Sequence, residues 1–476
     1  MHPEVELHGP PVAVPVERKG PSPAAATHLG LAFIAFAILG IAQLWAFAQM
    51  AVLGDRTSGL RALLVAIAGG SFLLFTVVSL VRQALLMAFA YSGAIGTARV
   101  RPESKGAWPG VTILVPAFNE AGRIEKAIEG ILALDYPRVE AIVVDDGSTD
   151  DTFAVASRFK GRKNGKLIHV VRKENGGKWS ALNVAFHLAN EELIVCVDAD
   201  SQLAPDSLKV LARHFEDPKV GGCCGQVVVR NTVNLITRLQ QLEYMLLNGI
   251  LRQAQNAFGL VLVAPGPIAM FRRSVLREVW MSWGSPQPLP LQKPGKRVYG
   301  PWEDDTFAED ADLTLNILLT GHSVLYDPRA VSRTSAPDNT FALLNQRYRW
   351  TRGNFQAAIK AWRRYGTAPK ASRMLPVWLG SLLFETVVWP ALNLYGMGAF
   401  MVMIGVFGLQ LPLLGWFLAL TFLDLNAAAF AARIEGGDTS VLLLTPLSRI
   451  YFNLLLDVSK AFALYDELRG RRMSWS

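Results

Sequence analysis

Two uncharged apolar runs open the chain, Leu29 to Gly54 and Ala62 to Val81. Each supplies the ~20 apolar residues that a helix needs to cross the hydrocarbon core of a bilayer. The first is too long for a secretory leader, whose apolar part runs to about 7–15 residues, and a second span follows it directly. A further stretch stays uncharged from Thr386 to Leu423, enough for two spans that turn near Gly408–Pro412, with Asp424 inside the second. Val441 to Leu464 is interrupted by Arg449, Asp457 and Lys460. It therefore reads as an interfacial amphipathic helix at least as well as a fifth span. The expected count is four spans, or five.

Between these regions the pattern changes. VTILVPAF at 111–118, EAIVVDD at 140–146, KLIHVV at 166–171 and ELIVCVDAD at 192–200 are short β-branched runs. Helix-forming stretches separate them, which predicts an α/β domain with a mostly parallel sheet and helices on both faces. Ligands in such sheets bind beyond the carboxyl ends of the strands. Here those positions are Pro116–Glu120, Asp145–Gly147 and Asp198–Asp200. Asn231 to Phe258 is a long amphipathic pattern with Leu235, Leu239, Leu242, Leu246 and Ile250 near one face, suited to a core or to a membrane surface. The predicted organisation is a tail at 1–27, two membrane helices at 28–98, an α/β domain at 99–370, two or three membrane or interfacial helices at 371–464, and a basic tail at 465–476.

Composition adds three points. Half of the 476 residues are hydrophobic (51 %), which suits a membrane part joined to a water-soluble part. The net charge of +8 is explained by basic flanks of the spans without invoking nucleic acid. Arg18 and Lys19 precede the first pair of runs, and Arg82, Arg99, Arg101 and Lys105 follow it, so the α/β domain should face the cytoplasm. Cys196, Cys223 and Cys224 are too few, and wrongly spaced, for a disulfide framework or a zinc knuckle. They read as small buried residues.

Candidate chemistry lies in the strings between the apolar regions. Asp198 and Asp200 straddle one residue, so an extended chain points both carboxylates the same way. Such a pair suits a hard divalent cation shared with substrate phosphates; a solvated loop is the bland alternative. Lys178 follows two glycines at a helix start, where it could meet a phosphate or simply face solvent. Gln346, Arg349 and Trp350 share one helix face in QRYRW. There Arg349 could fork onto a diphosphate and Trp350 offers a flat ring, although the basic residues after it also suit a membrane-edge helix.

VPAFNE, VVDDGSTD, NGGKWSALN, VDAD, APGPIAMFRR, AEDADLT and QRYRW, in this order, resemble the processive family 2 glycosyltransferases: cellulose, chitin, hyaluronan and poly-N-acetylglucosamine synthases. The run TSAPDNTFALLNQRYRWTRGNFQ looks most like the bacterial poly-N-acetylglucosamine synthases. The resemblance implies a GT-A domain inserted between membrane helices of the bacterial inner membrane. It implies a UDP-sugar donor with UDP-GlcNAc ahead of UDP-glucose, Mg2+ or Mn2+, a growing polysaccharide acceptor and a small membrane accessory subunit. It places the donor on Pro116, Ala117, Asn119, Glu120, Asp145, Asp146 (mainly the latter), Lys178, Asp198, Gln346 and Arg349. Metal falls to Asp198 and Asp200, and the acceptor to Pro265, Gly266, Pro267, Glu309 and Trp350. Asp310 becomes the general base, with Asp305, Glu309 and Asp312 as acidic neighbours. A single-addition transferase charging a lipid carrier is the nearer alternative, and a transporter or scaffold with a cytoplasmic insert the more distant one.

Overall fold

The computed structural model describes residues 23–55, 59–99, 107–283 and 299–471. Arg18, Lys19, Arg101, Lys105 and most of the Pro-rich loop 285–301 lie outside them. Among the described residues nine strands form one sheet: β1 (Val111–Ala117), β2 (Val139–Asp145), β3 (Gly161–Lys163), β4 (Lys166–Arg172), β5 (Leu193–Cys196), β6 (Gln202–Leu203), β7 (Val220–Val229), β8 (Ala269–Arg272) and β9 (Ser323–Thr334). Their order is β3-β4-β2-β1-β5-β8-β7-β9-β6.

The four strands legible in the sequence form the parallel half, with β1 between β2 and β5 and β4 beyond β2. Continuous apolar runs such as Ile113–Val115 and Ala141–Val144 are fully buried there, as expected of strands covered on both faces. The other half departs from a mostly parallel sheet. β8 runs antiparallel to both β5 and β7, and only β7 and β9 restore a parallel pair. The sheet is mixed. Its winding reverses at β1, and that switch point sets the three strand ends bearing Pro116, Asp145 and Asp198 side by side.

Among the described residues, five helices are long and apolar enough to cross a membrane: Ala24–Gln49, Leu60–Arg99, Leu375–Phe407, Leu411–Glu435 and Thr439–Leu468. The first exposes Leu31, Ile34, Ile38, Ile41 and Leu44, a face that only lipid or another apolar partner would cover. The turn between the third and fourth falls at Gly408, whose φ of +73° favours glycine. The last helix runs through Leu468, so part of the expected basic tail is helical and packed; Arg472 lies outside the described residues. Both ends of this helical segment meet helices of the sheet domain. Ser440 accepts from Arg238 at 2.8 Å, and Asp466 accepts from Tyr348 at 2.7 Å. Partway along, Arg449 pairs with Asp424 at 2.6 Å.

The amphipathic stretch predicted at 231–258 is a helix, Leu235–Leu246, that widens into a π-helical turn before Gln253–Asn256. Gln253 Nε2 donates to Glu435 at 3.1 Å, and the Tyr326 hydroxyl donates to the same buried carboxylate at 2.5 Å. Gly249 packs so closely on Ala431 and Glu435 that an added Cβ would lie 2.8 Å from the Ala431 methyl. The sheet domain is thereby fixed to the fourth apolar helix.

Candidate active site

Two sequence motifs are zipped together at the ends of β1 and β2. Asn119, at φ +54°, accepts from the Thr149 amide at 2.9 Å and donates its own amide to Ser148 at 3.0 Å. Glu120 donates its amide to Thr152, and Ala121 to Asp150. Asp145 is fully buried: it accepts from the Ser148 amide at 3.2 Å and pairs with Arg172 at 3.1 Å. The structure therefore gives Asp145 a turn-forming place rather than a ligand-facing one. Its neighbour Asp146 accepts from the amides of Gly176 and Gly177 at 3.1 and 2.8 Å, and from Lys173 at 2.5 Å. That carboxylate draws the two-glycine loop over the strand ends, and Gly177, at φ +88°, leads into the helix Lys178–Leu188.

A cleft of about 290 Å³ opens over this edge, lined by Pro116, Ala117, Phe118, Glu120, Asp146, Lys178, Ala181 and Asp198–Asp200. β5 ends at Cys196, so Asp198 and Asp200 sit on a turn, closed by the Ser201 amide donating to the Asp198 carbonyl at 3.0 Å. The extended geometry expected for the pair is absent, yet both reach the same cleft. The hydroxyls of Ser201 and Thr334 donate to one oxygen of Asp200 at 3.1 and 3.2 Å. No three His, Cys, Asp or Glu side chains stand together as a metal cage among the described residues. Two oriented carboxylates fit a divalent cation that takes its remaining ligands from phosphate and water. Asp198 and Asp200 would hold it.

The cleft continues inward along Lys178, Asp198, Gly266, Trp302, Glu309 and Asp310. The Lys178 ammonium bridges Asp198 at 2.8 Å and Glu309 at 2.9 Å, joining two motifs more than a hundred positions apart. Glu309 and Asp310 open the helix Glu309–Leu319, and Asp310 accepts from the Ala311 amide at 2.8 Å. Burial, reinforced by Glu309, pushes the Asp310 carboxyl up to about 6 against the pull of Lys178. The crowd of acids predicted there is sorted by a second cation. Lys360 pairs with Asp312 at 2.9 Å, Asp305 at 2.6 Å and Glu303 at 3.2 Å, which draws these three toward Lys360 while Glu309 and Asp310 line the cleft.

Pro265, Pro267, Gln346, Arg349 and Trp350 do not line the cleft. Of the Pro-Gly-Pro group only Gly266 does, and an added Cβ there would lie 2.9 Å from Lys178 Nζ. Arg349 is exposed; the buried arginine of QRYRW is Arg347. It pairs with Glu243 at 2.5 Å and lies 4.3 Å from the Trp350 ring, while Tyr244 lies 6.5 Å from the same ring. Sequence reading missed Arg347, because nothing marks which arginine of the string turns inward. It also missed Asn183, which holds Trp302 by donating to its carbonyl at 2.8 Å. Asn183 closes the string NGGKWSALN, but no local signal ties it to a loop a hundred residues away.

Residues 112–280 match the family described as Glycosyl transferase family 2. The chain carries a family 2 glycosyltransferase domain. It is 28 % identical over 280 residues to the poly-beta-1,6-N-acetyl-D-glucosamine synthase of Staphylococcus aureus, across 59 % of this chain and 61 % of that protein. The synthase of the same name from Staphylococcus epidermidis is 27 % identical over 252 residues, 53 % of this chain and 56 % of the relative. The chain thus spans about three fifths of the length of the curated relatives it matches. Among solved structures, the mannosyltransferase PcManGT of Pyrobaculum calidifontis, in complex with GDP-Man and Mn2+, overlays with a TM-score of 0.52 at 21 % identity, over 82 % of this chain and 99 % of that one. That likeness gives the glycosyltransferase domain its GT-A fold.

Proposed function

We propose that this protein is a membrane-bound, inverting and processive glycosyltransferase that builds a β-linked polysaccharide from a UDP-sugar, with UDP-GlcNAc the favoured donor. The observation that carries this reading is the Lys178 bridge, which sets the Asp198–Asp200 pair and the Glu309–Asp310 pair on facing walls of one cleft. The likeness to synthases of poly-β-1,6-N-acetylglucosamine supports the donor and the polymer.

In this reading the strand-end loops hold the nucleotide, with Asp146 near the base. Asp198 and Asp200 would hold a divalent cation, which when bound would supply positive charge against the departing diphosphate. Asp310, across the cleft, takes the proton from the acceptor hydroxyl as that oxygen attacks the anomeric carbon, which inverts the configuration. Lys178 holds Glu309 and Asp198 at a fixed separation. The helix Thr340–Tyr365 carries Trp350 as a platform for the acceptor sugar, and Arg347 stacks behind that ring. Four crossings, with the last apolar segment folding back against the catalytic domain, would set the growing chain beside the bilayer for export.

Purified protein in membranes, given a panel of labelled UDP-sugars, should form a high-molecular-weight product from one donor, UDP-GlcNAc first. A single-residue product on a lipid carrier would favour the non-processive reading, and no incorporation from any UDP-sugar would reject the proposal. The metal assignment has its own check. Thr334→Val removes a hydroxyl that orients Asp200 and should weaken Mn2+ binding about 10-fold, read by titrating free Mn2+ in the presence of UDP. Unchanged affinity would detach Thr334 from the metal site.

A further inference from the structure

The last helix reaches into the catalytic machinery from the far end of the chain. Glu467 accepts both bonds that Gln356 Nε2 donates, at 3.0 and 2.9 Å, and pairs with Arg352 Nε at 2.7 Å. A carboxylate only accepts, so it fixes the Gln356 amide with its NH2 toward Glu467 and its oxygen the other way. That oxygen accepts from the Phe307 amide at 3.3 Å. Arg352, held by the same carboxylate and by the Arg471 carbonyl at 2.7 Å, lies 5.5 Å from the Phe307 ring. One side chain near the end of the chain thus organises two others that grip Phe307 by backbone and by ring. Phe307 stands three positions before Asp310.

We infer that Glu467 is a positioning residue for the base: through Gln356 and Arg352 it sets where the Phe307–Asp310 segment presents the Asp310 carboxylate. The inference rests on the reading of Asp310 as base. It assigns to the chain's last helix a part in catalysis beyond that of membrane anchoring, and it makes donor binding, at the opposite wall of the cleft, independent of Glu467.

The test is a double-mutant cycle on the full-length protein in membranes, scored by transfer rate and by UDP affinity. Glu467→Ala should lower transfer about 10- to 100-fold with UDP affinity within about twofold of the parent. Glu467→Gln, which keeps a bond to Gln356 but loses the carboxylate charge that faces Arg352, should fall between. Gln356→Leu, which cuts the Gln356 branch and leaves Arg352 held by Glu467, should also fall between, and it keeps the test open if Glu467→Ala does not fold. In an Asp310→Asn background Glu467→Ala should add less than a further twofold, because the group it positions is already gone. Losses that multiply, a parallel fall in UDP affinity, or parent-like transfer by Gln356→Leu would overturn the inference. The two readings fail separately: parent-like transfer by Asp310→Asn removes the base, whereas an inactive Asp310→Asn beside fully active Glu467 variants removes only the positioning role.

Discussion

Asp310→Asn should lower glycosyl transfer by about 10²–10⁴-fold while leaving UDP affinity near that of the parent. The substitution keeps the size of the side chain and a carbonyl oxygen for the Ala311 amide, so the helix start survives. What is lost is the carboxylate that, in the proposed mechanism, takes the acceptor's proton. The effect should carry a pH signature. Burial, with Glu309 close by, raises the Asp310 carboxyl to about 6, and a base acts in its unprotonated form. In the parent, kcat/KM should therefore climb with pH, pass its half-maximum near 6 and level above it, and lose about tenfold per unit below. The residual activity of Asp310→Asn should lack that limb. Rates and UDP binding measured between pH 5 and 8 check both points. A parent-like rate in the variant would shift the search to Glu309, the other carboxylate of the inner cleft.

Gly353→Ala should cost about 10²-fold in transfer through a buried contact outside the cleft lining. Gly353 lies on the helix Thr340–Tyr365, three residues beyond Trp350, where the helix presses on the segment leading to the base. A Cβ at that position would lie 2.6 Å from both the backbone nitrogen and the methyl of Ala308, and 2.7 Å from the Phe307 carbonyl carbon. Two of these three atoms are backbone, so the segment itself must move. Glu309 and Asp310 follow directly, and an ångström at a proton-accepting group is costly. Overpacking of this kind typically destabilises by about 1–3 kcal/mol, which a protein fixed at several other places should tolerate. UDP binding by the variant separates the outcomes: retained affinity with slow transfer marks a displaced base, whereas a parent-like rate would mean the helix and loop part without moving Asp310.

The parallel half of the sheet was legible because each of its strands is a compact β-branched run ending in a polar cluster. The second half was not. β7 opens with Val-Gly-Gly-Cys-Cys-Gly, whose glycines make a poor strand signal; an added Cβ at Gly225 would lie 2.4 Å from the Ala330 carbonyl oxygen. Gly225 serves that close pairing with β9, while a Cβ at Gly222 would lie 3.0 Å from the Phe271 ring on β8, and neither contact is visible before the other strands are in place. The apolar helices were legible by length, since crossing a hydrocarbon layer is a one-dimensional requirement. Whether the segment from Thr439 to Leu468 crosses or folds back was not, because that depends on where its two ends dock.

The candidate site divides along the same line. The residue types alone placed carboxylates at strand ends, and the resemblance added a second acidic group, the Ala308-Glu309-Asp310 string, from elsewhere in the chain. Tertiary structure decided which of them face the cleft. Asp145 and Asp146 are adjacent, chemically alike and both buried, yet only Asp146 lines the cleft. Arg347 and Arg349 are two apart on a helix, hence on different faces, and packing against Glu243 turned the first inward. Lys178 and Lys360 each claim acids from distant segments, dividing the acids around Asp310 into a cleft pair and a set held by Lys360. A sequence records what a side chain can do; which neighbour it does it with is set by long-range packing, and no local pattern carries that information.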